Sequence, residues 1–220
     1  MRYDVLADKV IYFRDVFEDP NGWLNGIELA NTPFITDWSL WEKSTYEADK
    51  PYMKQYGHKK IIYGSAIFDY QLEDYPNDGY SHVKILSDAI SNCLDIYKSI
   101  YGITLEHESN KDMFVLSKYD NTDAADLQDH LDIDGDWEEY SIVIYINDEY
   151  KGGELELPNL GIKIKPEKAS IIVFPSGKPY NHIAHKAYDG QKYFISHFWK
   201  TGAGAGYIPL ASIPNNVRPR

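Results

Sequence analysis

Between Ser81 and Tyr101, apolar side chains recur at three- and four-residue intervals: Val83, Leu86, Ile90, Cys93 or Leu94, Tyr97 and Ile100. That spacing stacks them on one face of an α-helix. Ser81 suits the N-cap and Gly102 the stop. The pattern predicts a helix over 81–101 laid by its apolar face on a sheet.

From residue 112 the period changes from helical to alternating, and turn residues break it into short pieces. Strands are predicted at Met113 to Tyr119, Tyr140 to Asn147, Leu155 to Leu157, Ile162 to Lys165, Ser170 to Phe174 and Tyr193 to Trp199. In the second of these, Tyr140, Ile142, Ile144 and Ile146 share one face. Strand pieces at this spacing predict an all-β sandwich or jelly roll in the C-terminal half.

Upstream, a strand-like run from Lys9 to Phe17 ends at Asp19-Pro20-Asn21-Gly22, which reads as a turn. From Trp38 to Tyr80 the chain is rich in aromatic and turn residues but poor in periodicity, so loops with short elements are expected. The tail from Gly202 to Arg220 opens with Gly-Ala-Gly-Ala-Gly and is expected to be peripheral. There is no internal repeat. The expected organisation is one domain over 1–220. It has an N-terminal flank (1–111) that carries the aromatic loops and the helix. A core (112–200) and a C-terminal tail (201–220) follow.

Length agrees with this, since 220 residues support one sizeable core and fall short of two. The formal net charge of −12 disfavours nucleic acid and anionic lipid as partners. No apolar run approaches a membrane span. The N-terminal MRYDVLADKV carries charge where a secretory signal needs an apolar stretch, so a cytoplasmic location is expected. Cys93 is the one cysteine, which leaves no internal disulfide and no thiolate cluster. Any metal must therefore sit on His, Asp or Glu. Within its helical pattern, Cys93 itself reads as a small core hydrophobe.

Of seven histidines, only His130 has a carboxylate two residues on, in His130-Leu131-Asp132. On an extended strand, residues i and i+2 project from the same face, so both side chains can point at one metal. A second histidine from a distant strand would complete two imidazoles and one carboxylate, the donor set of oxygen-activating iron(II) sites. Taken alone the pair is a weak signal, and a surface His beside a solvated Asp reads equally well. The nearby Asp132-Ile133-Asp134-Gly135-Asp136 hints at a calcium loop. Its glycine is misplaced for an EF-hand, and Val143 stands where the twelfth-position Glu belongs.

The downstream text adds Tyr145-Ile146-Asn147, Gly152-Gly153-Glu154-Leu155, Lys165-Pro166, Ser170 to Ser176 ending in Phe-Pro-Ser, His182, and Gly190-Gln191-Lys192-Tyr193. In this order, from Tyr119 to Trp199, the chain resembles the prolyl 4-hydroxylase-like branch of the 2-oxoglutarate/Fe(II)-dependent dioxygenases. The resemblance implies an α+β, mainly β fold: a double-stranded β-helix, the jelly-roll or cupin-like barrel, with flanking helices on one face. It implies iron held by His130, Asp132 and His182. It also implies 2-oxoglutarate and O2 as co-substrates, and ascorbate as an accessory reductant. Lys192, ten residues past His182, matches the residue that binds the distal carboxylate of 2-oxoglutarate. Tyr119 is the candidate second donor to that carboxylate. Alternation puts Ser196 on the face of Lys192, where its hydroxyl would line the same pocket. His185 is the alternative third ligand, and counting back from Lys192 favours His182. His197 falls on the opposite face, where a structural role is expected. No catalytic residue beyond the metal ligands is expected.

The activity so implied is hydroxylation of a C–H bond, with succinate and CO2 as co-products, on a peptidyl proline. A peptide or protein partner is thus expected over a small molecule. Two alternatives stay open. One keeps the site and changes the substrate to a free amino acid or other small molecule, or the outcome to another oxidation. The other is a jelly-roll binding module with a non-catalytic or structural metal. Lys192 together with an open triad argues against that module, which needs neither.

Overall fold

The computed structural model describes residues 1–30, 35–40, 53–54, 58–63, 80–106, 113–119, 126–132 and 139–201. Its elements are β1 (Arg2–Ala7), β2 (Val10–Arg14), α1 (Pro20–Leu29), β3 (Ser39–Leu40), β4 (Met53–Lys54), β5 (His58–Tyr63), α2 (Tyr80–Tyr101), β6 (Leu105–Glu106), β7 (Met113–Tyr119), β8 (Asp126–His130), β9 (Glu139–Tyr145), β10 (Lys151–Gly152), β11 (Leu155–Leu157), β12 (Ile162–Ile164), β13 (Ser170–Pro175), β14 (His182–Ala184), β15 (Ala187–Tyr188) and β16 (Lys192–Thr201).

The strands form a nine-stranded sheet in the order β1-β2-β13-β9-β16-β7-β5-β3, with β6 paired to β16. A five-stranded sheet, β12-β11-β14-β8-β4, faces it, and β10 pairs with β15. Every pairing is antiparallel. This is a mainly β jelly roll with helices on one side.

Strand β9 shows why alternation builds two cores at once. Tyr140, Ile142, Ile144 and Ile146 pack with Val83, Leu86, Ile90 and Tyr97 of α2 and with Trp23 and Ile27 of α1. Val143 and Tyr145, on the other face, pack with Leu155, Leu157 and Phe174 between the two sheets. The predicted apolar face of α2 is the buried one, with Leu86 and Ile90 almost fully enclosed. Each such burial stabilises the fold by about 1.5–3 kcal/mol.

One expectation is corrected. Asp19-Pro20-Asn21-Gly22 starts helix α1 and does not form a free turn. The Asp19 side chain accepts a hydrogen bond from the Gly22 N–H at 3.0 Å. Pro20 stands in the first helical turn, where a missing N–H costs nothing. The flank upstream of residue 112 also supplies part of the main sheet. Strand β2 pairs with β13 through Phe13↔Ile171 and Ile11↔Val173, and β5 pairs with β7 over six residues. Local patterns carry no trace of partners more than fifty residues away. Most of the aromatic stretch from Trp38 to Tyr80, and the tail from Gly202 to Arg220, lie outside the described residues. Among the described residues, no helix is long and apolar enough to cross a membrane.

Candidate metal centre and its pocket

The smaller sheet brings the two histidines together. His130 closes β8, His182 opens β14, and the two are paired partners across the ladder. Their rings stand 4.2 Å apart, centroid to centroid. Asp132 lies in the bend just past β8, so the chain has left the strand where the same-face rule was applied to it. Its carboxylate still turns back between the histidines. Oδ1 is 3.7 Å from His130 Nε2, and Oδ2 is 3.6 Å from His182 Nε2. One ligand atom from each of the three residues lies within 4.8 Å of the others.

Both imidazoles are buried. Burial pushes the His182 ring below its ordinary pKa, and the neighbouring His130 adds to this against the pull of Asp132. A neutral imidazole is the form that binds a metal. The His182 Nδ1 lies 3.4 Å from the Tyr180 carbonyl, an arrangement that leaves Nε2 for the metal side.

Two serines that sequence reasoning missed stand behind the carboxylate. Ser141 Oγ donates to Asp132 Oδ2 at 2.5 Å and lies 2.8 Å from Ser176 Oγ. Both are fully enclosed. Ser141 falls on the pocket face of β9, opposite Tyr140 and Ile142, and a lone hydroxyl among β-branched residues was the available signal. Ser176 ends the Phe-Pro-Ser run.

The triad opens onto a pocket of about 320 Å³, within the span of small-molecule sites, roughly 300–1,000 Å³. Lys192, Tyr119 and Ser196 line it, together with Ser117, Tyr145 and Phe194. Lys192 begins β16 directly opposite Tyr119 at the end of β7. The lysine is 2% exposed, and its Nζ donates to the Gly153 carbonyl at 2.9 Å. Burial, helped by the charge of Lys165, lowers its pKa to about 7. Burial raises that of Tyr119, which keeps its hydroxyl a donor.

His185 stands apart from the triad. Its Nε2 is 2.7 Å from Glu156 Oε2 on the half-exposed side of β14. His197 packs against Phe114 at 5.0 Å, on the face of β16 away from Lys192's side chain.

The donor set fits iron(II): two imidazoles and one carboxylate gathered on one side, with a pocket on the other to leave positions open. No thiolate competes, since Cys93 is buried in the helix-side core.

Comparison with known proteins agrees. Residues 114–200 match the family model of the 2OG-Fe(II) oxygenase superfamily, whose cofactors are Fe(II), 2-oxoglutarate and O2. Among solved structures, the chain is similar to a prolyl hydroxylase from Trichoplax adhaerens in complex with a hypoxia inducible factor oxygen degradation domain peptide fragment. The TM-score is 0.60 at 15% identity, covering 88% of this chain and 83% of that one. It is also similar to an oxidoreductase of the 2OG-Fe(II) oxygenase family from Burkholderia pseudomallei, with a TM-score of 0.52 at 12% identity, over 88% and 85% of the two chains. At these identities the likeness is one of fold. A search of the curated proteins returns no match.

Proposed function

We propose that this chain, whose residues 114–200 carry the 2OG-Fe(II) oxygenase pattern, is an iron(II)- and 2-oxoglutarate-dependent dioxygenase that hydroxylates a peptidyl prolyl residue. The observation that carries the reading is one pocket lined by both a His-Asp-His cluster and a buried lysine. A dicarboxylate that chelates a metal with one end needs a cation for the other.

His130, Asp132 and His182 would hold the iron. With 2-oxoglutarate and O2, the bound metal supplies the oxidation that yields succinate, CO2 and a hydroxylated C–H carbon. The chain itself does the rest. Lys192 binds the distal carboxylate and sets which way the co-substrate lies. Tyr119, held across the ladder from Lys192, and Ser196 on the same face offer hydroxyls to it. Val143, Leu155 and Phe194 wall the pocket and exclude water from the reacting atoms. Ser141 fixes the Asp132 carboxylate.

A peptide substrate is favoured because the Trichoplax adhaerens neighbour, a prolyl hydroxylase, was solved with a peptide bound. The acidic chain suits a neutral or basic peptide.

The test is anaerobic titration of the purified protein with iron(II) and 2-oxoglutarate, followed by the visible metal-to-ligand charge-transfer band. A band that is lost in Asp132→Ala, and lost at limiting co-substrate in Lys192→Ala, supports the site. A screen of proline-containing peptides for succinate release then tests the substrate. Folded, iron-loaded protein that gives no band would overturn the reading in favour of a binding module.

A further inference from the structure

Lys165 and Lys192 grip one short stretch of chain from two sides. Lys165, just past β12, directs its Nζ to the carbonyls of Tyr150 at 2.9 Å and Gly152 at 2.5 Å. The same ammonium stands 3.6 Å from the centroid of the Tyr150 ring, a cation–π distance. Lys192 reaches the stretch from inside the pocket, donating to the Gly153 carbonyl at 2.9 Å, with its Nζ 5.9 Å from the Tyr150 ring centroid. The Tyr150 ring is thus shared by two cations, and the carbonyls of residues 150, 152 and 153 all accept from a lysine.

The rest of the hold on this stretch comes from β15 and the chain beside it: the Gly153 N–H donates to the Lys186 carbonyl at 2.8 Å, and the Lys151 ammonium meets Asp189 at 2.8 Å. Strand β10 is short, with two register pairs to β15, Lys151↔Tyr188 and Gly152↔Ala187. The chain then passes through two consecutive glycines in the left-handed region, with φ of 63° and 69°. Glycines are conformationally permissive, and here the two lysines fix the carbonyl side of the pair.

We infer that Lys165 is a positioning residue for the distal carboxylate of the co-substrate: it fixes the Tyr150–Gly153 turn so that the Gly153 carbonyl aims the Lys192 ammonium. The inference rests on the assignment of Lys192 to that carboxylate. An ammonium has three donors that rotate together, and lysine, unlike arginine, has no fork of its own to set direction. One donor committed to a fixed carbonyl fixes where the other two lie, and these remain for the carboxylate. A turn that drifts would let the ammonium drift with it.

The charge of Lys165 acts in the same place. It adds positive potential at the carboxylate end of the pocket. It also lowers the Lys192 pKa, second to burial, while Glu154 pulls the other way. The other titratable side chains packed near Lys192 are Tyr145 on β9, Tyr150 on the turn and Tyr119 on β7. Their burial-raised pKa values leave them neutral.

The test measures 2-oxoglutarate binding by calorimetry on iron(II)-loaded protein without oxygen, across pH, for the wild type, Lys165→Met, Lys165→Arg and Lys192→Met. Lys165 is exposed and Met keeps its aliphatic stem, and thermal melting checks folding. Lys165→Gln replaces the Met variant if that one does not fold. Lys165→Met is expected to weaken 2-oxoglutarate about tenfold, the low end for losing a group that orients a ligand-binding side chain. The midpoint of the pH profile should move upward. Iron affinity, and kcat at saturating 2-oxoglutarate, should stay at the wild-type level. Lys165→Arg should recover most of the affinity. Unchanged affinity and pH midpoint in Lys165→Met, beside a wild type that binds and a Lys192→Met that does not, would overturn the role of Lys165 and leave the dioxygenase reading intact. A general loss of iron binding, kcat and melting temperature together would also overturn it, as the mark of a structural role only. A wild type that binds no 2-oxoglutarate would sink the underlying reading itself.

Discussion

His182 stands directly across from His130 in the β8–β14 ladder, so two residues 52 positions apart in sequence are fixed to each other by backbone pairing. The imidazoles inherit their separation from strand geometry. Only Asp132 depends on a bend and on its hydroxyl support. The site is therefore rigid on two ligands and adjustable on the third.

Replacing a ligand should remove metal binding without unfolding the chain. His130→Ala, Asp132→Ala and His182→Ala are each expected to lose iron(II) binding and all turnover. His185→Ala should bind iron within about threefold of the wild type, since its imidazole pairs with Glu156 away from the triad, and surface changes of this kind are usually small. Anaerobic iron titration followed by calorimetry decides it. Strong loss in His185→Ala with retention in His182→Ala would reverse the two assignments.

Ser141→Ala tests the adjustable ligand. It removes the hydroxyl that donates to Asp132 and leaves Ser176 without that neighbour. Metal affinity should fall about 10–100-fold, as for other groups that orient a ligand. Stability should fall by about 1–3 kcal/mol, because buried acceptors lose a donor. Denaturant melts of the metal-free protein separate the two effects, and unchanged metal affinity would show that Asp132 holds its pose unaided.

What the sequence made legible follows from how local each signal is. The helix over 81–101 and strands such as β7 and β9 rest on periodicity within a single segment, and they stand within a residue or two of where the pattern puts them. The His-x-Asp pair and Lys192 were legible as positions in a motif. Ser141 was not, because its meaning comes from Asp132 across a bend and from Ser176 just past the neighbouring strand β13. Strand β2 was legible as the strand-like run from Lys9 to Phe17, but its place beside β13 was not, and β5 was hidden for the same reason: only a distant partner makes each part of the barrel. Asp19-Pro20-Asn21-Gly22 misled because Asp-Pro serves equally at a turn and at a helix start.

Gly153→Ala should damage both fold and site. Gly153 has φ of 69°, and a Cβ there would meet the Tyr150 ring at 2.6 Å. Forcing a side chain into that conformation costs about 1–3 kcal/mol, with the clash in addition. Because the Gly153 carbonyl holds Lys192, 2-oxoglutarate affinity should fall as well. Gly161→Ala is the control. It has φ of 65° and open space around its Cβ, so it carries the backbone strain without the clash, and 2-oxoglutarate affinity should be kept. Equal affinity loss in both variants would mean that the effect is general loosening.

Lys192 makes co-substrate binding depend on pH. With its pKa lowered to about 7 by burial, the side chain is charged below that value and largely neutral above it. The co-substrate carboxylate needs the charged form, so binding above pH 7 must take up a proton. The dissociation constant should be nearly flat below pH 7 and rise towards tenfold per unit above it. Calorimetry in buffers of different ionisation enthalpy reads the proton directly. Stability runs the opposite way. In the unfolded chain the lysine keeps its ordinary value of 10.5, so between about pH 7 and 10.5 the unfolded state binds the extra proton, and rising pH favours the fold. Below about pH 7 that contribution is gone, and the cost of a buried ammonium is borne in full. Lys192→Met removes the titration. The melting temperature of the variant relative to the wild type should therefore rise as pH falls from 10 to 6, while 2-oxoglutarate binding is lost throughout. A stability difference that is flat across this range would mean that Lys192 stays charged in the fold, and the predicted pH dependence of binding would disappear with it.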